Sequence, residues 1–177
     1  SVLSQTHKDL ELVVVDGGST DGTLKILADY GDRIRWQSAS DRGTSDAMNI
    51  GFHRSTGDYI TYLNSDDFFA SNDVVRDAVR DLVNRPADIL CADLEMIDAE
   101  TGRLIHRIPS QPKRRWLGGI LLPGAFIKRR LLEKKQFDLS IKIANDHELF
   151  SYWLEVEKAS VVYVPRVHVH FSSGGVC

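Results

Sequence analysis

Two adjacent aspartates, Asp66 and Asp67, close the segment Asn64-Ser65-Asp66-Asp67 directly after the apolar run Tyr59-Ile60-Thr61-Tyr62-Leu63. Carboxylates paired where a buried strand emerges repel each other and resist desolvation. A hard divalent cation bound through oxygen is the usual compensation, often shared with the phosphates of a substrate. Taken alone, an Asp-Asp pair reads as a solvated strand end, with Asp67 capping the next turn. At the ligand edge of a sheet, beside a second Asp-bearing turn, the cation is the favoured reading, and Mn2+ or Mg2+ suits such oxygen ligands.

The second turn is Asp16-Gly17-Gly18-Ser19-Thr20-Asp21-Gly22-Thr23. Its glycines allow a sharp strand-to-helix turn, and a helix N-terminus favours anions. It lacks the lysine of a phosphate-binding P-loop and the spacing of the dinucleotide fingerprint, which argues against both. Asp16 could accept the ring N–H of a uracil-like base or a ribose hydroxyl. A plain turn with an N-cap explains Ser19 and part of the glycine content, but explains Asp16 less well.

A third run, residues 38–51, leads into a helix that carries Asp46, Asn49 and His53 on one face and Met48 and Phe52 on the other. That polar face either binds a sugar or ribose or is solvated, and the residue types leave both open. Asp146 sits in Ile141-Lys142-Ile143-Ala144-Asn145-Asp146-His147-Glu148 at a helix start. Local sequence makes it a cap; pointed into a cleft, it is a general base. His168 and His170 alternate on one strand, where a metal pair is the disfavoured reading. Lys113-Arg114-Arg115-Trp116 is by default a solvated loop, with phosphate or a lipid headgroup as alternatives.

Positioning these side chains requires strand ends. Apolar and β-branched runs predict strands over residues 10–15, 34–36, 59–63 and 89–94. Helices are expected over 19–30, 44–53 and 74–83, the last with the stripe Val74, Val75, Ala78, Val79, Leu82 and Val83. This alternation implies an α/β fold: a mostly parallel, doubly wound sheet flanked by helices on both faces, with ligands at the carboxyl ends of the strands. Asp16, residues 38–41 and Asp66-Asp67 all lie at such ends. The second half is less regular. Strands are expected over 103–108, 124–128, 160–164 and 167–171, with a long loop over 109–123 and a short helix near 129–135. An amphipathic helix over 146–157 turns Leu149, Phe150, Trp153 and Leu154 inward.

The 177 residues suit one domain, and 42% hydrophobic content with a net charge of −3 argues against disorder and against a nucleic-acid surface. No apolar stretch approaches the roughly 20 residues of a membrane span. The first residues have neither the basic region nor the apolar run of a signal peptide. Cys91 lies in an apolar run and reads as a buried small hydrophobe; with Cys177 it makes no disulfide framework, so a reducing cytoplasm is the expected location.

Together these segments resemble the family 2 glycosyltransferases, which have the Rossmann-like nucleotide-sugar-binding fold called GT-A. The resemblance begins with Ser1-Val2-Leu3-Ser4-Gln5-Thr6 and Leu12-Val13-Val14-Val15-Asp16-Gly17-Gly18-Ser19-Thr20-Asp21-Gly22-Thr23. It runs through Asp41-Arg42-Gly43, Asp46-Ala47-Met48-Asn49-Ile50-Gly51 and Thr56-Gly57-Asp58-Tyr59-Ile60 to the acidic motif Leu63-Asn64-Ser65-Asp66-Asp67. Phe137-Asp138-Leu139-Ser140-Ile141-Lys142-Ile143-Ala144-Asn145-Asp146 is similar to the segment bearing the catalytic base, and Phe171-Ser172-Ser173-Gly174-Gly175-Val176 to a late glycine turn. Each piece is weak alone; their order and spacing are specific.

The resemblance implies an inverting, metal-dependent transfer of a sugar from a nucleotide-diphosphate donor to a saccharide or lipid-linked acceptor, in surface polysaccharide or glycolipid assembly. It implies that Asp16, Ser38, Asp41, Asp46, Asn49 and Asp66 meet the nucleotide sugar, that Asp67 with Asp66 holds Mn2+ or Mg2+, and that Asp146 is the catalytic base. Residues 1–95 would form a nucleotide-binding half and 96–177 an acceptor-side half, working in the cytoplasm or at the inner face of a membrane. By the same resemblance a first central strand should precede residue 1, so the expectation is an N-terminally truncated sheet with unpaired backbone groups on two strands. Homo-oligomerisation or strand exchange would repair it. The alternative from another class is a non-catalytic nucleotide-sugar-binding or oligomerising module of the same descent.

Overall fold

The computed structural model describes residues 1–112 and 119–173. Lys113, Arg114, Arg115 and Trp116 of the basic loop lie outside the described residues, as do Gly174, Gly175, Val176 and Cys177. Along the chain run β1 (Val13–Asp16), α1 (Thr23–Asp29), a 3-10 turn (Gly31–Arg33), β2 (Arg35–Ser38), α2 (Thr44–Arg54), β3 (Tyr59–Ile60) and β4 (Phe68–Phe69). There follow α3 (Val74–Asn84), β5 (Ile89–Asp98), β6 (Leu104–Ile108), β7 (Phe126–Lys128), α4 (Arg129–Lys134), α5 (Asn145–Glu155) and β8 (Val161–Ser173).

The strands form two sheets. β1 and β2 pair in parallel, and the other six follow the order β3-β7-β5-β8-β4 with β6 on the margin of β5. The long ladder of the larger sheet, β5 with β8, is parallel, and four short antiparallel pairings complete it. The fold is therefore α/β with a mixed sheet whose longest ladder is parallel. Among the described residues no strand pairing joins the two sheets. Glu11 bridges them instead: its Oε1 accepts the backbone N–H groups of Thr56 and Gly57 ahead of β3, and its Oε2 pairs with Arg35 on β2.

β5 shows why the larger sheet is stable. Its side chains alternate by the period of two that a pleated strand imposes. Ile89 and Cys91 enter one core with Phe52, Leu131, Leu132, Leu149 and Trp153; Leu90, Ala92 and Leu94 enter another with Val74, Val75, Ala78 and Leu82. Helices cover both faces, which is why this strand reads as an unbroken apolar run rather than an alternating one. Cys91 is a buried free thiol whose pKa burial pushes up to about 12.

Several local expectations change. Val83, assigned to the apolar stripe of α3, is 73% exposed, because it lies about 100° around the helix from Leu82, off the face that Val74, Val75, Ala78 and Leu82 bury. α1 opens at Thr23 rather than at Ser19, since Ser19 is drawn back onto Asp16 and the Asp21 carboxylate takes the Thr23 N–H. The two terminal strands are one, β8. Pro165 has no N–H to give a ladder, and the register shifts on either side of Asp93 let the strand continue past it. The run after Tyr59 leaves the ladder early, with Tyr62 bridging Pro123 before the chain turns into β4.

Candidate functional site

The β1 turn is built around one carboxylate. Asp16 Oδ2 accepts the N–H groups of Gly18 at 3.0 Å and Ser19 at 2.9 Å and the Ser38 hydroxyl at 2.6 Å, while the Ser19 hydroxyl donates to Oδ1. These donors, the Ser19 hydroxyl foremost, hold the Asp16 carboxyl down at about 2. Ser38 thus joins Asp16 across the parallel β1–β2 pair. Asp41 lies against the same turn: a Cβ on Gly17 would come 3.1 Å from its Oδ2, so glycine there keeps the two turns in close approach. Asp41 Oδ1 also accepts the Gly43 N–H at 2.8 Å, which closes the loop into α2.

Two of the expected ligands on α2 are engaged within the protein. Asp46 accepts from the Arg42 backbone N–H at 3.0 Å and from its guanidinium, which keeps its carboxyl below the usual range. Asn49 is held at both ends by Phe137: its Nδ2 donates to the carbonyl at 2.9 Å and its Oδ1 accepts the N–H at 3.1 Å. His53, on the same helix, packs its ring on Phe52.

Asp66 and Asp67 differ sharply. Asp66 is exposed, and the Ser172 hydroxyl donates to its carbonyl at 2.8 Å. Asp67 is 8% exposed; its Oδ2 accepts the Asn64 side-chain amide at 2.9 Å, and its Oδ1 is buried with no hydrogen-bond partner. Burial pushes this carboxyl up. A buried carboxylate oxygen without a donor is expensive, and a hard cation is the ligand that matches it. The residues present thus fit a divalent ion held by Asp67 with Asp66. Among the described residues no cluster of three or more His, Cys, Asp or Glu could hold a metal by itself, so further ligands would come from substrate and water.

Asp146 stands in the first turn of α5, partly exposed, with its Oδ1 accepting the next N–H, that of His147, at 2.9 Å. The residue before it was missed by sequence reasoning. Asn145, 7% exposed, bonds the backbone of Asp138 and reaches Ser45 on α2 at 2.8 Å. Phe137 in turn packs edge-on against Tyr62, ahead of the acidic pair, with ring centroids 5.7 Å apart. The Asp146 loop is thereby tied both to α2 and to the run that leads from β3 to Asp66 and Asp67. Nothing in residue types alone marks an Asn amide for such a task.

The two histidines serve other ends. His168 is buried beside Phe126, with Nδ1 2.9 Å from the Gly124 carbonyl, and His170 faces Phe68 and Glu95. No helix of the described residues is long and apolar enough to cross a membrane.

The model of the family described as "Glycosyl transferase family 2" matches residues 1–147. An uncharacterized glycosyltransferase of Rickettsia typhi is 28% identical over 95% of this chain and 58% of its own length. Among solved structures, S. aureus TarS 1–349 in complex with UDP-GlcNAc is similar at TM-score 0.78 and 18% identity over 98% of this chain and 53% of its own. The mannosyltransferase PcManGT from Pyrobaculum calidifontis, in complex with GDP-Man and Mn2+, is similar at TM-score 0.63 and 20% identity over 93% of this chain and 48% of its own. The chain therefore spans about half the length of the proteins it matches, and the structural likeness establishes the fold.

Proposed function

The chain belongs to glycosyl transferase family 2, and from that premise we propose that it moves a sugar from a nucleotide-diphosphate donor to an acceptor hydroxyl with inversion. The observation that carries this reading is the buried Asp67 carboxyl, with one oxygen lacking a donor, beside an exposed Asp66. Asp67 with Asp66 would hold Mn2+ or Mg2+, and the bound ion supplies charge neutralisation for the departing diphosphate.

The other roles belong to the chain's own residues. Among the described residues Asp16 Oδ1 receives the Ser19 hydroxyl alone, so it keeps a lone pair for a base N–H, with Ser38 and Asp41 flanking the ribose. Asp46 and Asn49 shape that pocket from behind through Arg42 and Phe137. Asp146 takes the proton of the acceptor hydroxyl as that oxygen bonds the anomeric carbon. The bond to the diphosphate breaks in the same displacement, and its electron pair leaves with the nucleotide. Such base assistance is worth about 10²–10⁴ in rate. The ligands in the two structural neighbours support a UDP- or GDP-linked donor; a saccharide or lipid-linked hydroxyl is the acceptor in this reading, which fits surface polysaccharide or glycolipid assembly.

Calorimetric titration with UDP and GDP, with and without Mn2+, tests the donor half. Metal-dependent binding that disappears in Asp67→Ala is expected; tight binding indifferent to both metal and substitution overturns the role of the acidic pair. The rival, a non-catalytic nucleotide-sugar-binding or oligomerising module, draws on the gap between the two sheets. It predicts nucleotide binding without turnover. Homo-oligomerisation or strand exchange would close the open edges of β1 and β3, and a monomer by light scattering with a single cooperative melt counts against that closure.

A further inference from the structure

The geometry points to Asn49 and Asn145 as a pair of positioning residues that set the aim of Asp146, an inference that rests on the sugar-transfer reading above. The segment from Phe137 to Ala144 precedes α5 and belongs to no helix or strand. It therefore has no backbone ladder to fix it, yet it must hold a proton-abstracting carboxylate to within a fraction of an ångström. Two asparagine amides supply what a ladder would. Asn49 bonds both backbone groups of Phe137, donating at 2.9 Å and accepting at 3.1 Å. Asn145 does the same to the next residue, accepting the Asp138 N–H at 3.2 Å and donating to its carbonyl at 2.7 Å. Two consecutive residues are thus gripped at both backbone groups by side chains, in the manner of a paired strand.

Only an amide can do this. Each Asn must donate to a carbonyl and accept from an N–H of one residue, so a carboxylate of the same shape would face the carbonyl with a lone pair. The second proton of Asn145 goes to the Ser45 hydroxyl at 2.8 Å, in the first turn of α2, so both grips end on that helix. Ala144, directly before Asn145, has φ 56°, a left-handed conformation disfavoured for a residue with a Cβ. Such a conformation persists where its surroundings over-determine it, and the Asn145 contacts do so here. Asp146 follows immediately, so displacement of the grip turns its carboxylate first.

The test uses the whole chain with Mn2+ and four donors, UDP-glucose, UDP-galactose, UDP-GlcNAc and GDP-mannose, with water standing in for the acceptor hydroxyl. On the donor hydrolysed fastest, Asn145→Ala is expected to lower kcat by about 10²-fold with donor KM little changed, and Asn49→Ala to lower kcat by a similar factor. Combined with Asp146→Asn, neither should slow the reaction further, because the grip acts only through that carboxylate. A purely structural role would instead multiply the losses, and that outcome overturns the inference, as does a kcat for Asn49→Ala close to that of the unaltered chain. Should the alanine variants fail to fold, Asn49→Asp and Asn145→Asp keep the shape and the acceptor while removing the donor, and they must show the same non-additivity. If the unaltered chain hydrolyses none of the four, the transfer reading and this inference fall together; if it does and the variants match it, this inference falls alone.

Discussion

Asp16 and Asp67 are both buried aspartates at the ends of strands, and their surroundings push them in opposite directions. Around Asp16 four donors converge and its carboxyl sits at about 2, against an ordinary value of 3.8. A depressed carboxyl contributes stability that is present above the unfolded value and is lost as pH falls through the folded one. The Asp16 turn should accordingly be intact at pH 5 and weaken between about pH 4 and 2. An NMR titration of the Asp16 carboxyl should show its midpoint rising toward 3.8 in Ser19→Ala, since that hydroxyl is the largest cause of the depression. Asp67 is the reverse case: burial raises its carboxyl, so its charge opposes folding at neutral pH. Asp67→Asn should therefore melt higher than the unaltered chain in the absence of metal while losing Mn2+-dependent nucleotide binding. A lower melting temperature would mean that the carboxylate is structural. The acidic pair was legible in sequence because charge beside an apolar run is conspicuous. The Asn49–Phe137 and Asn145–Ser45 contacts were not, because pairings 88 and 100 residues apart leave no local signature.

At the scale of elements, what stood out in the sequence was what the core dictates. The stripe of α3 and the apolar run of β5 were visible because burial on one face forces a period in the helix and burial on both faces an unbroken apolar run in the strand. The extension of β8 past Pro165 and the two-residue β4 were not, since both depend on partners distant in the chain. Gly124, just before β7, is an element-level constraint of the same kind. Its φ is +71°, and a Cβ there would meet Val169 Cγ2 at 2.8 Å and His168 Cβ at 2.9 Å on β8. Gly124→Ala should cost roughly 2–4 kcal/mol from overpacking and backbone strain together, read as a lowered denaturation midpoint with unchanged slope. The neighbouring His168 adds a pH dependence to β8. Burial lowers its pKa below 6.5, so the unfolded chain binds the proton more readily. Stability should be level above about pH 7 and fall as pH drops below 6.5, and His168→Gln should flatten that slope.

For the molecule as a whole, the alternation of strand and helix was enough to expect an α/β fold, and the family-like order of motifs was enough to expect GT-A. The division into two sheets has a consequence for how the chain comes apart. The turn that carries Asp16 and Ser38 belongs to the β1–β2 pair; the acidic pair and Asp146 belong to the larger body with its two cores. Among the described residues, α2 packing and the Glu11 contacts are the main ties of the first to the second, and Gln5 and Thr6, on the lead into β1, bond Ser71, Asp73 and Val75. The smaller body should therefore melt ahead of the larger one. Differential scanning calorimetry of the unliganded chain should resolve a minor low-temperature transition ahead of the main one. A nucleotide sugar that touches both would fasten one body to the other, and the two heat-absorption peaks should merge into a single later one.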